Sequence, residues 1–339
     1  MITAAPVICE PVYSSPPMAY PTLGRVAEIW LEHLRGTVKD STWANYAAIA
    51  KKYIPPEFAS RPTGSLTSDD IDLLFKLAAE PSGRGRLSSS RLRSISTVIK
   101  SVIDYANLQG FCSLKYSTKR IRPGPCRDMK APLEREEQLA FERWLLNDGR
   151  PVSIGILLCL YTGLRIGKLC ALRWGDISVA AGTLYVRRTL QRIRVIDAEP
   201  NEPHTKLILG EPKSASSRRM IPLPDFITEL LAPLESEPAA YLLTSSAKRP
   251  MEPRTLQNRF YTALDAAGLR RVNFHVLRHT FATNCVNLGC DAKTLSELLG
   301  HADVGVTMNT YVHPSISLKK SLIDRLGGQF DREAALKNK

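Results

Sequence analysis

The chain has 339 residues, with 46 Lys and Arg against 33 Asp and Glu and a formal net charge of +13. That length suits two domains of ordinary size, and the basic excess favours a polyanionic partner, though charge alone does not separate DNA from RNA or acidic membrane. No apolar run approaches the ~18–20 residues needed to cross a bilayer. The opening MITAAPVICEPVYSSPPMAYP lacks a basic start and is broken by prolines, unlike a secretory leader. The seven cysteines (Cys9, Cys112, Cys126, Cys159, Cys170, Cys285, Cys290) are odd in number and scattered through apolar segments. They read as reduced thiols of a cytoplasmic protein with no membrane partner.

Residues 1–20 are proline-rich and read as a disordered tail. A helical region follows over 21–115. VAEIWLEHL is amphipathic, and after GTVKD the segment STWANYAAIAKKYI opens on Ser41, expected as the N-cap. SDDIDLLFKLAAE has an acidic first turn and stops at Pro81-Ser82-Gly83. SSSRLRSISTVIKSVIDYANLQG sets Ile95, Val98, Ile99, Val102, Ile103 and Ala106 on one stripe, leaving Arg91, Arg93 and Lys100 outside it. Residues 116–131, rich in Pro, Gly and cations, read as an interdomain linker. From 132 to 315 a second, mostly helical domain carries one small sheet: LYVRRTLQRIRV and RRMIPLP alternate and read as two strands of a hairpin. In the last segment, 316–339, Leu318, Leu322, Leu326 and Phe330 fall at spacing four and form an apolar stripe. The fold class is therefore mainly α with a small antiparallel sheet, α+β, in two domains.

The chemistry concentrates between His275 and Tyr311. His275 and Arg278 are three apart and project from one helix face. LSELLG runs to Gly300, a natural terminator, with His301 just beyond. Tyr311 follows in a short polar segment that reads as a loop or a one-turn helix. A cation, two imidazoles and a phenol suit one task, gripping a phosphodiester while the tyrosine attacks it. One guanidinium cannot neutralise both non-bridging oxygens, so a second cation is needed upstream. Arg165 meets that demand, at a helix–turn–helix junction after Gly163. Taken singly, each of these residues has a plainer reading: a half-buried tyrosine, a hydrogen-bonded core histidine, a helix-start arginine.

Together the pattern H-x-L-R … L-G-H … Y, with TGLRIG … LCALRWGDI upstream, resembles the tyrosine recombinases, also called the phage-integrase family. The resemblance adds Lys213, at the centre of GEPKSASSR, as the family's hairpin lysine. It implies a catalytic set of Arg165, Lys213, His275, Arg278, His301 and Tyr311, with Tyr311 as nucleophile forming a 3′-phosphotyrosyl bond. The two arginines would clamp the phosphoryl oxygens and Lys213 would protonate the departing 5′-oxygen. No cofactor, metal or ATP is expected; the chain has no G-x-x-x-x-G-K-[ST], no H-E-x-x-H and no cysteines at zinc spacing.

The resemblance also implies that the two domains close as a clamp on double-stranded DNA at specific recombination sites, the helical 21–115 region being a SAM-like core-binding domain. Lys39, Ser41, Thr42, Trp43, Arg91 and Arg93, with Arg218 and Arg219 beside the hairpin, are expected DNA contacts. The protein is expected to be a monomer in solution and a homotetramer on DNA, with the C-terminal stripe docking in trans. An excisionase or DNA-bending protein would assist it, and the site of action would be the bacterial nucleoid. The inserted TLQRIRVIDAEPNEPHTKLILGEP resembles integrases of phages and conjugative elements more than compact chromosome-dimer resolvases. One position departs from the family: R-[IL]-G-[ED] here ends in Lys168. If exposed, Lys168 beside Arg165 would cost about 0.2–0.5 kcal/mol in like-charge repulsion. Two rival readings are a type IB topoisomerase and a DNA-binding regulator that has lost catalysis.

Overall fold

The computed structural model describes residues 20–80, 87–115, 131–196, 199, 201–211, 218–311, 320 and 323–324, and only the backbone of Asn309 and Tyr311. Lys213, nearly all of the expected linker, the first 19 residues and the Leu318–Phe330 stripe lie outside the described residues. The chain divides into two compact units, one of residues 1–127 with 193–204, the other of 128–192 with 205–339.

The first unit is helical: α1 (Leu23–Leu34), α2 (Asp40–Tyr53), α3 (Pro56–Ala59), α4 (Ser68–Ala79) and α5 (Ser89–Leu108). The expected stripe on α5 is its buried face, and it packs against Leu23, Val26 and Trp30 of α1, Ile49 of α2 and Ile71 and Leu74 of α4. Thr67 and Asp70 cap α4 reciprocally, each side chain accepting from the other's backbone N–H. Ser41 is not a cap. The N-cap is Lys39, two residues earlier, and its carbonyl already accepts from Thr42 and Trp43. Ser41 therefore lies within the first turn, behind the acidic Asp40.

The second unit opens with α6 (Arg135–Asp148) and α7 (Pro151–Thr162). Helix α7 is apolar all round, as a helix buried on every side must be. It packs against α6 and against α11 (His275–Asn287). Between them in sequence come α8 (Ile166–Cys170), a 3-10 turn at Trp174–Asp176, the strands β1 (Ile177–Ser178), β2 (Thr183–Val186), β3 (Thr189–Arg194), β4 (Thr205–Gly210) and β5 (Arg219–Pro222), then α9 (Asp225–Leu231) and α10 (Pro253–Ala266). The chain continues with α12 (Ala292–Leu299) and α13 (Val304–Tyr311).

The expected single hairpin is two sheets. β2 pairs antiparallel with β5, Val186 opposite Arg219, in a three-stranded sheet with β1, while β3 and β4 form a separate two-stranded sheet. The run LYVRRTLQRIRV breaks at Arg187-Arg188 because Asp176, 6% exposed, draws both guanidinia aside. Arg188 Nη2 donates to its two carboxylate oxygens at 2.8 and 2.6 Å, and Arg187 lies at 3.5 Å.

Candidate active site

Arg165 is the N-cap residue of α8, in extended backbone immediately after the turn that ends α7. Gly163 makes that turn at φ +62°, and a Cβ there would come within 2.7 Å of Phe281 and 2.9 Å of Leu299. Two residues past Arg165, a Cβ on Gly167 would strike the Leu190 carbonyl at 2.5 Å, so the R-I-G spacing lets α8 lie against β3. Arg165 itself is half-buried.

Arg278 is the largest of the fully buried side chains, 1% exposed. Its Nη1 donates to the Gly163 carbonyl at 2.8 Å, and its Nη2 to the Leu299 carbonyl and to His301 Nε2, each at 2.8 Å. Both carbonyls are orphan acceptors at helix C-termini, of α7 and α12, where the backbone dipoles favour a cation. That is how the fold buries a guanidinium here.

The arginine can only donate, so His301 Nε2 accepts and its Nδ1 carries the proton, donated to Thr307 Oγ1 at 2.7 Å. Burial, with Arg278, Arg165, Arg219 and His275 nearby, pushes His301 down to about 4. His275 begins α11 with its surface partly open and its ring edge-on to His279, centroids 4.7 Å apart. Packing around the ring, then His279, Arg278 and Arg165, push it also to about 4. Both imidazoles are therefore neutral at pH 7; His301 has both nitrogens engaged by Arg278 and Thr307, which leaves His275 as the acceptor or base.

Tyr311 is the last residue of α13, an eight-residue helix rather than the expected loop or single turn. The helix starts early because the Asp303 carboxylate accepts the Gly305 N–H at 2.7 Å. It packs on α11 and α12. Thr307, fully buried and bound to His301, stands one helical turn before Tyr311.

Lys168 is 6% exposed, so the repulsion expected of an exposed pair does not apply. Burial, then Arg219, Arg165 and Arg278, lower its ammonium to about 6. It lines a narrow cleft with Asp176, Arg187 and Arg188, where the two arginines hold the Asp176 carboxylate. Arg219, expected as a DNA contact beside the hairpin, is also buried at 9%, with Nε donating to the Leu298 carbonyl at 2.6 Å. Arg218 next to it is exposed and paired with Glu211.

In the first unit, Lys39 and Arg93 are exposed and Ser41, Thr42 and Arg91 half-buried. Trp43 is committed within the fold: its indole N–H donates to the Leu31 carbonyl at 2.8 Å and Arg35 lies 4.8 Å over its ring. Arg91 donates to Asn45 at 3.3 Å and faces the Tyr53 ring. Among the described residues no group of three or more His, Cys, Asp or Glu could hold a metal ion, and no helix is long and apolar enough to cross a membrane. Cys285 and Cys290 are free thiols with their pKa values raised by burial.

Sequence reasoning missed Thr307, Asp303 and Asp176. Thr307 could have been sought from its place four residues before Tyr311, and Asp303 from the Asp-x-Gly that opens α13. Nothing local marks Asp176, whose partners lie beyond the next two strands.

This is an Arg–His–Thr network with a second arginine near it and a helix that ends on a tyrosine, on a mainly helical two-unit fold. Residues 145–317, more than half of the chain, match the model of the phage integrase family, and residues 22–72 match its N-terminal SAM-like domain. The chain belongs to the phage integrase family of tyrosine recombinases. It is 26% identical over 332 residues to a XerC-like tyrosine recombinase of Caldanaerobacter subterraneus, spanning 91% of this chain and 83% of that one. It is 22% identical to a tyrosine recombinase of Thermosipho africanus, spanning 88% and 96%. Among solved structures, the integrase of transposon Tn1549 in complex with a circular intermediate DNA superposes with a TM-score of 0.72 at 19% identity, covering 90% of this chain and 99% of that one. A lambda integrase dimer bound to a COC′ core site gives 0.58 at 18%, covering 85% and 95%.

Proposed function

We propose that the protein cuts and rejoins double-stranded DNA at specific sites through a 3′-phosphotyrosyl intermediate, integrating and excising a mobile element. The observation that carries this reading is the single helix α13, which holds His301 through Thr307 and presents Tyr311 one turn later. His301 in turn receives Arg278, and Arg278 is locked to the turn that precedes Arg165. Nucleophile and phosphate-binding groups are thus tied to one another by α7, α11, α12 and α13.

In the reaction the Tyr311 oxygen forms a bond to the scissile phosphorus, and the bond from phosphorus to the 5′-oxygen breaks. The phosphorus keeps its 3′-oxygen, and the 5′-hydroxyl leaves with a proton supplied by Lys213. Arg165 and Arg278 stabilise the charge that grows on the non-bridging oxygens. With three donors of Arg278 already committed, its main work is to hold the cationic pocket in shape. Neutral His275 takes the tyrosine proton or bonds the phosphate. The phosphotyrosine stores the energy of the broken bond, so attack by a second 5′-hydroxyl reverses the chemistry on a new strand without ATP.

DNA is the partner that the basic charge and the DNA-bound relatives support. Within that reading residues 21–115 form the core-binding domain, 132–315 the catalytic domain and 116–131 the linker that lets them close on the duplex. Lys39, Ser41, Thr42, Arg91, Arg93 and Arg218 contact the DNA backbone. The C-terminal segment, residues 316–339, docks on a neighbouring protomer of a tetramer, and an accessory excision or bending protein sets direction. The test is a supercoiled plasmid carrying two copies of the duplex that the protein selects from a random library. Deleted or inverted product supports the reading; relaxation without any recombinant favours a topoisomerase, and binding without either favours a regulator.

A further inference from the structure

We propose that Arg219 is a third guanidinium of the phosphate site, donating from its two terminal nitrogens to the scissile phosphodiester. This rests on the reading that Tyr311 cleaves DNA, and adds to it a residue on β5. Arg219 is 9% exposed, and its Nη1 and Nη2 are buried with no hydrogen-bond partner. Among the described residues no carboxylate forms a salt bridge with it. Buried donors are almost always satisfied, and two orphaned amino groups on one charged fork call for an acceptor that arrives from outside.

The fork is held ready for that acceptor. Nε donates to the Leu298 carbonyl at 2.6 Å, at the C-terminal turn of α12, one residue before the carbonyl that receives Arg278. The end of α12 therefore receives both guanidinia on consecutive carbonyls. Arg219 lines an open cavity of about 380 Å³ together with His301, Arg218, Met220, Thr294, Leu298 and Glu297, the last exposed. Arg165 stands close enough to depress it, and Arg219 in turn depresses His301 and Lys168. A residue that served only to cap α12 would need Nε alone, and Nη1 and Nη2 are buried with no hydrogen-bond partner. A planar fork suits phosphate oxygens and accounts for arginine at this position.

The test compares wild type with Arg219→Met and Arg219→Lys on nicked duplexes that trap the covalent intermediate. The scissile phosphate is either natural or a methylphosphonate, which replaces one charged non-bridging oxygen by methyl. On the natural phosphate, Arg219→Met should slow trapping by about 10²-fold, the loss typical of one preorganised donor to a charged transition state. On the methylphosphonate, which carries one negative charge fewer in the transition state, the deficit should shrink at least tenfold, and Arg219→Lys should fall between the two on both substrates. The ratio of the two rates within one variant is independent of the fraction folded, so Arg219→Lys decides the matter if Arg219→Met folds poorly. Equal trapping by wild type and variants overturns the assignment, as does an equal deficit on both substrates or rescue only when a flanking phosphate is replaced. A wild type that traps nothing on any duplex overturns instead the cleavage reading on which the assignment rests.

Discussion

Replacing Lys168 by Met should stabilise the second unit at pH 7, and by less at pH 8. Lys168 is 6% exposed and its ammonium is lowered to about 6 by burial and by Arg219, Arg165 and Arg278. In the unfolded chain a lysine titrates near 10.4. Between those values the unfolded state binds the extra proton, so stability rises with pH at about 1.4 kcal/mol per unit until the unfolded pKa is reached. Below pH 6 both states are protonated, and the full penalty of a charge buried among guanidinia is felt. Met removes that titration and fills similar volume, so a gain of roughly 1–4 kcal/mol at pH 7 is expected. The gain should fall by about 1.4 kcal/mol at pH 8, and the difference between variant and wild type cancels the other titrating groups. For a domain of roughly 150–250 residues each kcal/mol moves Tm by about 2–4 °C, so the pH-dependent part amounts to about 3–6 °C. Calorimetric melting of both proteins at the two pH values measures it. A Tm gain that is absent, or the same at pH 7 and pH 8, would refute the view that Lys168 sits neutral among the arginines.

Gly163→Ala should destabilise by about 1–3 kcal/mol, because the positive φ and the contacts to Phe281 and Leu299 leave no room for a methyl; it should also slow cleavage by displacing the carbonyl that holds Arg278, and denaturant unfolding with a trapping assay checks both. Thr307→Val should cost about 1–3 kcal/mol of stability and lower the trapping rate, since the proton on His301 Nδ1 loses its acceptor and the Nε2 acceptor for Arg278 is no longer fixed. His275 and His301, both lowered to about 4, favour the folded state above the ordinary histidine pKa near 6.5; that contribution is lost as pH falls from there through 4, so Tm measured between pH 7 and pH 4 should decline across this window. Substituting either histidine by Gln should flatten that decline, and an unchanged profile would count against the assignment.

What could be read from the chain was local. The α5 stripe, the stop at Gly163, the start of α8 at Arg165 and the His275–Arg278 spacing all follow from residues within one or two turns of each other, and the structure places them as expected. The rest depends on distant partners. Arg187 and Arg188 look like strand residues until Asp176 is known to lie beneath them. Arg218 and Arg219 are the same residue type in adjacent positions, yet β-pairing turns one outward to Glu211 and the other inward to the end of α12. Lys168 could be recognised as an anomaly, but only the packing of β5 and α11 around it supplied the sign of its titration. The N-cap was misplaced by two residues because a backbone carbonyl, which every residue has, outweighed a favourable side chain.

The central claim is that Tyr311 becomes covalently joined to DNA. The direct measurement incubates wild type and Tyr311→Phe with selected duplexes nicked at successive positions, resolves the products under denaturing conditions and maps the modified peptide by mass spectrometry. Wild type should give one DNA-linked species, carrying a 3′-phosphate on Tyr311, and Tyr311→Phe should bind the same duplexes and give none. A linked species in Tyr311→Phe, or an adduct mapped to any other residue, would contradict the account.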